Sequence, residues 1–423
     1  RSNTLLLINH YPSYDDLYRN GFVHSRVRAY LERGVHVDVF RLRPNGATSY
    51  HEFQNVDVVT GGEDALRKIL DAGYYKRVLV HFLSPEMWNV LERYPHLPCL
   101  VWVHGAEIHS WHRREHNYEH EAEREKARRE SDRRLAFWRG ILRPTAPNLR
   151  LIFVSRYFAD QVFEDLGFRL SVDKYTIIHN PIDTELFSYQ EKPPGQRTRV
   201  LSIRPYVSRT YANDLSVKAI QLLSEMSFFK DLEFRLIGDG KLFDEILEPV
   251  RNFSNVTIER RFLSQRQIAA LHKDYGVFLV PSRMDSQGVS RDEAMASGLV
   301  PVTNRVAAIP EFVDESCALL APAEDAAALA DSIARLYESP ILFERLSKAA
   351  AARVREQSAS KRVIEQELAL IRAAAEQISD KRFPAAVFCD PKVGPEQSDD
   401  SRGPGDAVER ERKLSWHTGD QIQ

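Results

Sequence analysis

At 423 residues and 43% hydrophobic content, the chain is long enough for two or three domains with ordinary buried cores. A formal charge of −2 excludes a sequence-wide attraction to nucleic acid or to an anionic membrane, so any basic site has to be a local cluster of Arg and Lys. The three cysteines, Cys99, Cys317 and Cys389, lie far apart with no C-x-x-C or Cys/His spacing, which argues against zinc and against a disulfide framework and fits a reducing cytoplasm.

Short β-rich runs alternate with amphipathic stretches in two successive series, the pattern of parallel sheets wrapped by helices. The first series comprises residues 4–8, 35–40, 77–80, 100–103 and 151–154. After its first strand, residues 9–16 place Tyr11, Tyr14, Asp15 and Asp16 in one loop, which suits either sugar hydroxyls or a plain surface turn. His24, on the next helix, reads as a packed residue. The run at 100–103 leads into His104, Gly105 and Glu107; a histidine at a strand end is by itself an ordinary hydrogen-bonded structural residue. Residues 111–142 are highly charged with mixed signs, as in a solvated helix with i,i+4 pairs, or an acceptor or partner surface.

Residues 190–198 are polar and rich in turn formers and mark the junction between series. The second series comprises 200–203, 234–237, 256–258, 277–280 and 300–303. Arg204 and Arg209 follow its first strand, beside a helix start that puts Leu215, Ala219, Leu222 and Met226 on one face. Gly238 and Gly240 follow the next strand, where they would let the backbone approach a ligand or simply form a turn. After the strand at 277–280, the stretch 281–301 sets two carboxylates, Asp285 and Glu293, around a small polar turn leading into a helix. There the N–H groups of Gly288, Val289 and Ser290 can face an anion. A last helical run covers 361–379, and residues 380–423 are rich in Gly, Pro, Asp and Ser, the composition of a disordered tail or linker. No apolar run approaches the ~18 residues that would span a bilayer. No charged-then-apolar leader opens the chain, and its first residue is Arg, which reads as a piece cut from a longer polypeptide.

The spacing from Asp285 to Glu293 resembles the E-x7-E element of retaining glycosyltransferases with the GT-B fold, specifically the GT4 family, with Asp standing at the first acid. The resemblance covers residues 4–375 and is strongest from 200 to 313. It implies two Rossmann-like domains facing across a cleft, 1–190 on the acceptor side and 199–360 on the nucleotide-sugar side, with the helix at 361–379 crossing back to the first. It also implies roles. Asp285 would bind donor sugar hydroxyls and Glu293 the nucleotide ribose. Arg204, with Arg209 in place of the family's Lys, would grip the diphosphate, and His104 would face the donor sugar across the cleft. Glu311 matches an acid of the family and Asn180-Pro181-Ile182-Asp183 a structural turn. No D-x-D triplet occurs, so no metal and no cofactor are expected, and fixed cations would stabilise the leaving group.

The activity so implied is transfer of a sugar from a nucleoside diphosphate donor to a saccharide or lipid-linked glycan, in the cytoplasm, with peripheral association at the inner membrane face. A catalytically silent sugar-nucleotide-binding module and a nucleotide-sugar 2-epimerase are the rival readings.

Overall fold

The computed structural model describes residues 2–16, 20–143 and 148–376; the expected tail at 380–423 lies outside the described residues. The first sheet has eight strands: β1 (Thr4–Ile8), β2 (Asp38–Leu42), β3 (Ser49–Phe53), β4 (Val56–Gly61), β5 (Arg77–His81), β6 (Cys99–Trp102), β7 (Leu149–Phe153) and β8 (Tyr175–Ile177), in the order β3-β4-β2-β1-β5-β6-β7-β8. All pairings are parallel except β3 with β4. Its helices are α1 (Gly21–Glu32), α2 (Glu63–Asp71), α3 (Pro85–Leu91), α4 (Glu121–Leu142) and α5 (Arg156–Leu166).

Alternation along the central strands explains why both faces are covered. Leu5, Leu7, Val78, Val80, Val101, Leu151 and Phe153 share one core with residues of α2, α3, α4 and α5, while Leu6, Ile8, Leu79, Leu100, Trp102 and Ile152 enter another. The β3–β4 hairpin was absent from the expected strands. Its first strand is polar and mostly exposed, and it turns on Gln54 and Asn55, both at positive φ (48° and 66°), as two-residue hairpin turns require.

The second sheet has six parallel strands, β9 (Arg199–Ile203), β10 (Glu233–Gly238), β11 (Val256–Arg260), β12 (Val277–Leu279), β13 (Val300–Asn304) and β14 (Leu319–Ala321), ordered β11-β10-β9-β12-β13-β14. Around it run α6 (Asn213–Ser224), α7 (Phe243–Leu247), α8 (Gln265–Asp274), α9 (Val289–Ala296), α10 (Ile309–Phe312), α11 (Ala326–Glu338) and α12 (Pro340–Gln357). On α6 the buried stripe includes Leu215, Ala219, Ile220 and Leu223; Leu222 and Met226 are exposed, so the face expected from the sequence is rotated past its first turns.

The charged segment at 111–142 is also not a plain solvated helix. Ala127, Ser131, Leu135, Trp138 and Leu142 recur every three or four residues on α4 and are buried, and the charges occupy the remaining faces.

The final helix, α13 (Ser360–Glu376), returns to the first sheet, where Val363, Ile364, Leu368 and Ile371 pack beside Val23, Val27 and Tyr30 of α1. This is the expected crossover. It is fixed by Glu367, which is wholly buried: Arg26 Nε donates to it at 3.0 Å, the Tyr30 hydroxyl at 2.6 Å and Trp102 Nε1 at 3.3 Å. Removing one partner of a buried pair leaves the other charge without compensation. Glu367→Ala is therefore expected to destabilise the protein by about 3–5 kcal/mol, read from chemical denaturation against the parent; a change under about 1 kcal/mol would show that water reaches Arg26 in the variant.

Candidate active site

The loops after β9, β10 and β12 converge at the C-terminal edge of the second sheet, where ligands of open α/β sheets settle. The loop after β9 begins with Arg204, whose amide donates to Ile237 O at 3.0 Å. A side chain at Gly238 would collide with the Arg204 carbonyl, and one at Gly240 (φ +147°) with the Tyr206 backbone. The close approach these glycines permit is of one loop to another: Tyr206 N donates to Asp239 O at 2.8 Å and Leu242 N to Tyr206 O at 2.9 Å. These contacts are those of the turn that the sequence also allowed. They fix the backbone from which Arg204 projects.

Arg204 is only 6% exposed. Its Nη1 donates to Ser290 Oγ at 3.1 Å, its guanidinium lies 4.9 Å from the centre of the Tyr211 ring, and its Nε has no partner among the described residues. Burial pulls its pKa below the ordinary arginine value, and the nearby Asp285 carboxylate acts in the opposite direction. Ser290 lies in the first turn of α9, after Gly288 in the left-handed region (φ 96°). Among the described residues the backbone N–H groups of Gly288, Val289 and Ser290 make no hydrogen bond. A buried cation and the positive end of a helix thus meet at one place, and each favours an anion between them.

Asp285 is partly exposed; its Oδ1 accepts from Gln287 N at 3.1 Å and its carbonyl from Ala308 N at 3.1 Å. Glu293 is partly accessible, yet the protein around its carboxyl pushes the pKa up to about 8, with burial the largest cause and Asp292 and Asp183 adding to it.

Arg209 reaches across to the first domain, where Glu119 accepts from its Nη2 at 2.6 Å, and Glu245 on α7 of its own domain accepts from the same atom at 3.3 Å. His104 stands on the opposite wall at the end of β6. Its ring is 4.3 Å from that of Phe82, and its Nε2 lies 3.1 Å from His81 Nδ1. Burial, helped by the charge of Arg26, lowers its pKa to about 3, so the imidazole is neutral. Glu107 accepts from the His104 amide. Of the loop at 9–16, Tyr11 is buried on His24, with 2.9 Å between its hydroxyl and Nδ1, whereas Tyr14 and Asp15 are exposed.

Two arginines that no sequence motif marks organise the site. Arg283 Nη1 and Nη2 donate to Asp214 at 2.8 and 2.7 Å, Nη2 also to Glu324 at 2.8 Å, and Nη1 to Arg209 O at 2.9 Å; the carboxylates raise its pKa beyond the usual arginine value. Arg291 is buried under Gly288, paired with Asp292 at 2.7 Å, its guanidinium 5.6 Å from the Phe312 ring centre. Their partners lie on other elements or on the adjacent residue, which linear spacing does not signal.

Contacts between domains border the same loops. The Gln287 carboxamide accepts from Asn180 N at 2.6 Å and donates to Asn180 O at 3.2 Å. Both Glu311 oxygens accept from the first amides of α5, Arg156 N at 2.8 Å and Tyr157 N at 2.9 Å. His116 Nε2 lies 2.9 Å from Thr210 Oγ1, and Ser208 Oγ donates to Asn117 at 2.8 Å.

A cavity of about 320 Å³, lined by Ile141, Leu142, Phe168 and Lys174, opens at the start of β7, the opposite sheet edge from these loops. Among the described residues no three His, Cys, Asp or Glu side chains are grouped to hold a metal ion, and no helix is long and apolar enough to cross a membrane.

Residues 199–339 match the family model described as glycosyl transferases group 1. That stretch of the second domain is similar to the group 1 glycosyl transferases. Curated relatives include an MMP alpha-(1->4)-mannosyltransferase of Mycolicibacterium hassiacum, 27% identical over 209 residues (46% of this chain, 47% of the relative). Another is an N-acetyl-alpha-D-glucosaminyl L-malate synthase of Bacillus anthracis, 29% identical over 198 residues (45% and 51%). The match thus spans about half the length of each relative. Among solved structures, a sucrose-phosphate synthase from Thermosynechococcus elongatus superimposes with a TM-score of 0.68 at 18% identity, covering 88% of this chain and 98% of that one. A trehalose-phosphate synthase from Burkholderia vietnamiensis gives 0.65 at 15% identity, covering 89% and 98%. The fold is GT-B, and Arg204, Asp285 and Glu293 lie in its second domain.

The raised pKa of Glu293 carries a sign. The folded protein retains a proton that the unfolded chain releases above its ordinary value of 4.5, so this residue's contribution to stability declines as pH rises from 4.5 to about 8. Glu293→Gln is expected to gain stability relative to the parent across that window, measured by thermal denaturation at several pH values; parallel curves would refute the assignment.

Proposed function

We propose that the protein is a retaining glycosyltransferase that moves a sugar from a nucleoside diphosphate donor to a saccharide or lipid-linked glycan acceptor, at the cytoplasmic face of a membrane where the acceptor is lipid-linked. The observation that carries this reading is the buried Arg204 guanidinium bonded to Ser290 at the start of α9, beside three free backbone N–H groups and next to Asp285. Together these fit a diphosphate with a sugar attached. The relatives named as mannosyl-transferring and N-acetylglucosaminyl-containing synthases support hexosyl transfer.

In this mechanism the leaving diphosphate gains negative charge as the bond to the sugar breaks. Arg204 and the α9 N-terminus stabilise that charge because they are fixed and shielded from water. A diphosphate oxygen takes the acceptor proton on the same face of the sugar, so no protein base is needed and configuration is retained. Asp285 positions the sugar hydroxyls, Glu293 holds the ribose, and neutral His104 faces the sugar from the other wall. Positive side chains fill the role a divalent ion would otherwise have, which makes the enzyme GT4-like and metal-independent. Arg209 joins this set by exchanging Glu119 and Glu245 for the diphosphate.

Arg204→Ala is expected to lower kcat by ~10² to 10³, followed as acceptor-dependent release of nucleoside diphosphate; activity within a few-fold of the parent removes Arg204 from the mechanism. Release from the donor without acceptor would instead favour an epimerase. Because exposed ion pairs are worth about 0.2–1 kcal/mol, Glu119→Gln should free Arg209 and tighten nucleoside diphosphate binding by about two- to five-fold. Calorimetry with UDP, GDP and ADP in parallel measures this, and an unchanged Kd for whichever binds would detach Arg209 from the phosphate site.

A further inference from the structure

The first domain's wall of the cleft carries buried polar groups that the mechanism above does not use. Gly105 (φ +124°) has no side chain, and the point where one would begin lies 3.5 Å from both Arg114 Nη2 and His109 Nδ1. His109 is 2% exposed, and neither ring nitrogen has a hydrogen-bond partner among the described residues. The ring packs edge-on against Phe158, 4.8 Å between centres, so the apolar side of its surroundings is already occupied. Arg134 reaches the same place from α4 and donates from Nη2 to His109 O at 3.3 Å, leaving its Nε bare; the Nε of Arg114 is buried and bare as well.

Charge compensation there is incomplete, coming from Glu107 near Arg114 and Arg134 and from Glu130 near Arg134. Adjacent Arg113 is neutralised by Glu164 and Asp165 at 2.6 and 3.0 Å, but no described residue pairs with Arg114. Glu107, the nearby carboxylate, accepts from the His104 amide, and its other oxygen is buried without a partner. Burial and the surrounding guanidiniums, Arg114 first among them, hold His109 neutral, which leaves it one N–H to donate. Unpaired guanidiniums in partly desolvated surroundings are costly, and a planar or tetrahedral oxyanion satisfies them through short charge-assisted bonds. The segment that carries Arg114 meets the loop that carries Arg204, through His116 on Thr210 and Asn117 on Ser208.

We propose that His109, Arg114 and Arg134 form an anion subsite that binds a phosphate or carboxylate carried by the acceptor. The acceptor is then a charged hydroxyl compound, and neutral glycans bind poorly. The word acceptor rests on the glycosyl-transfer reading; the subsite does not. The donor diphosphate, the other source of the same chemistry, already has Arg204 and the α9 N-terminus on the second domain.

Calorimetric titration of the full chain with inorganic phosphate, alone and with saturating UDP, GDP or ADP, tests this. Saturable phosphate binding that persists with nucleotide bound is expected, weakened ten-fold or more by Arg114→Gln and by Arg134→Gln, while nucleotide affinity stays within two-fold. Arg134→Lys should recover part of the phosphate affinity, which separates loss of charge from loss of folding. Ring-labelled His109 should shift on phosphate addition in the parent. No saturable phosphate binding overturns the proposal, and so does competition between phosphate and nucleotide, which would give these groups to the donor. Phosphate binding without any nucleotide binding would sink the transferase reading and leave the subsite standing.

Discussion

The relation between the two domains depends on a buried carboxylate on the last helix. Glu367 sits against the first domain, where it accepts from Arg26, Tyr30 and Trp102, and Arg26 passes the constraint on by donating to Asn180 Oδ1 at 2.8 Å. Asn180 is in turn held by both ends of the Gln287 carboxamide, and Gln287 Nε2 donates to Asp292 at 3.1 Å, the partner of Arg291. A continuous polar path therefore runs from α13 through α1 to the start of α9. Such paths are expensive to bury and costly to break in one place. Here the path ties the orientation of the crossover helix to the backbone beside Asp285.

Arginine in this protein has two separate uses. Arg283 and Arg291 are compensated by carboxylates and shape loops, and their charges are spent inside the protein. Arg204 retains its charge where, among carboxylates, only Asp285 partly offsets it, and that difference, rather than the residue type, sets it apart. Arg209 is intermediate: exposed enough to exchange partners, and in this conformation it links the domains through Glu119.

Much of the architecture was legible because parallel strands covered on both faces have to be continuously apolar, and runs as short and apolar as 77–80 and 277–280 suit such strands best. Edge strands have no such constraint, so the polar β3 and the short β8 and β14 left no signal. The acidic pair around α9 and the arginine after β9 were legible from local order, since a strand, a turn and a helix start are enough to place them. What pairs with each charge was not. Arg209 found Glu119, and Arg283 found Asp214 and Glu324, through the packing of separate elements. The inner stripe of α4 had the helical period all along, but its dense charges obscured Leu135 and Trp138.

The two carboxylate oxygens of Glu311 complete the first turn of α5, a helix of the other domain whose own Ser155 reaches only the Phe158 amide, at 3.2 Å. Swinging the lobes apart withdraws that acceptor, so two amides lose their cover at the moment the joint opens. Gaping of the protein is thus coupled to fraying at the head of α5, and the resting posture is latched by a cap borrowed from the neighbour.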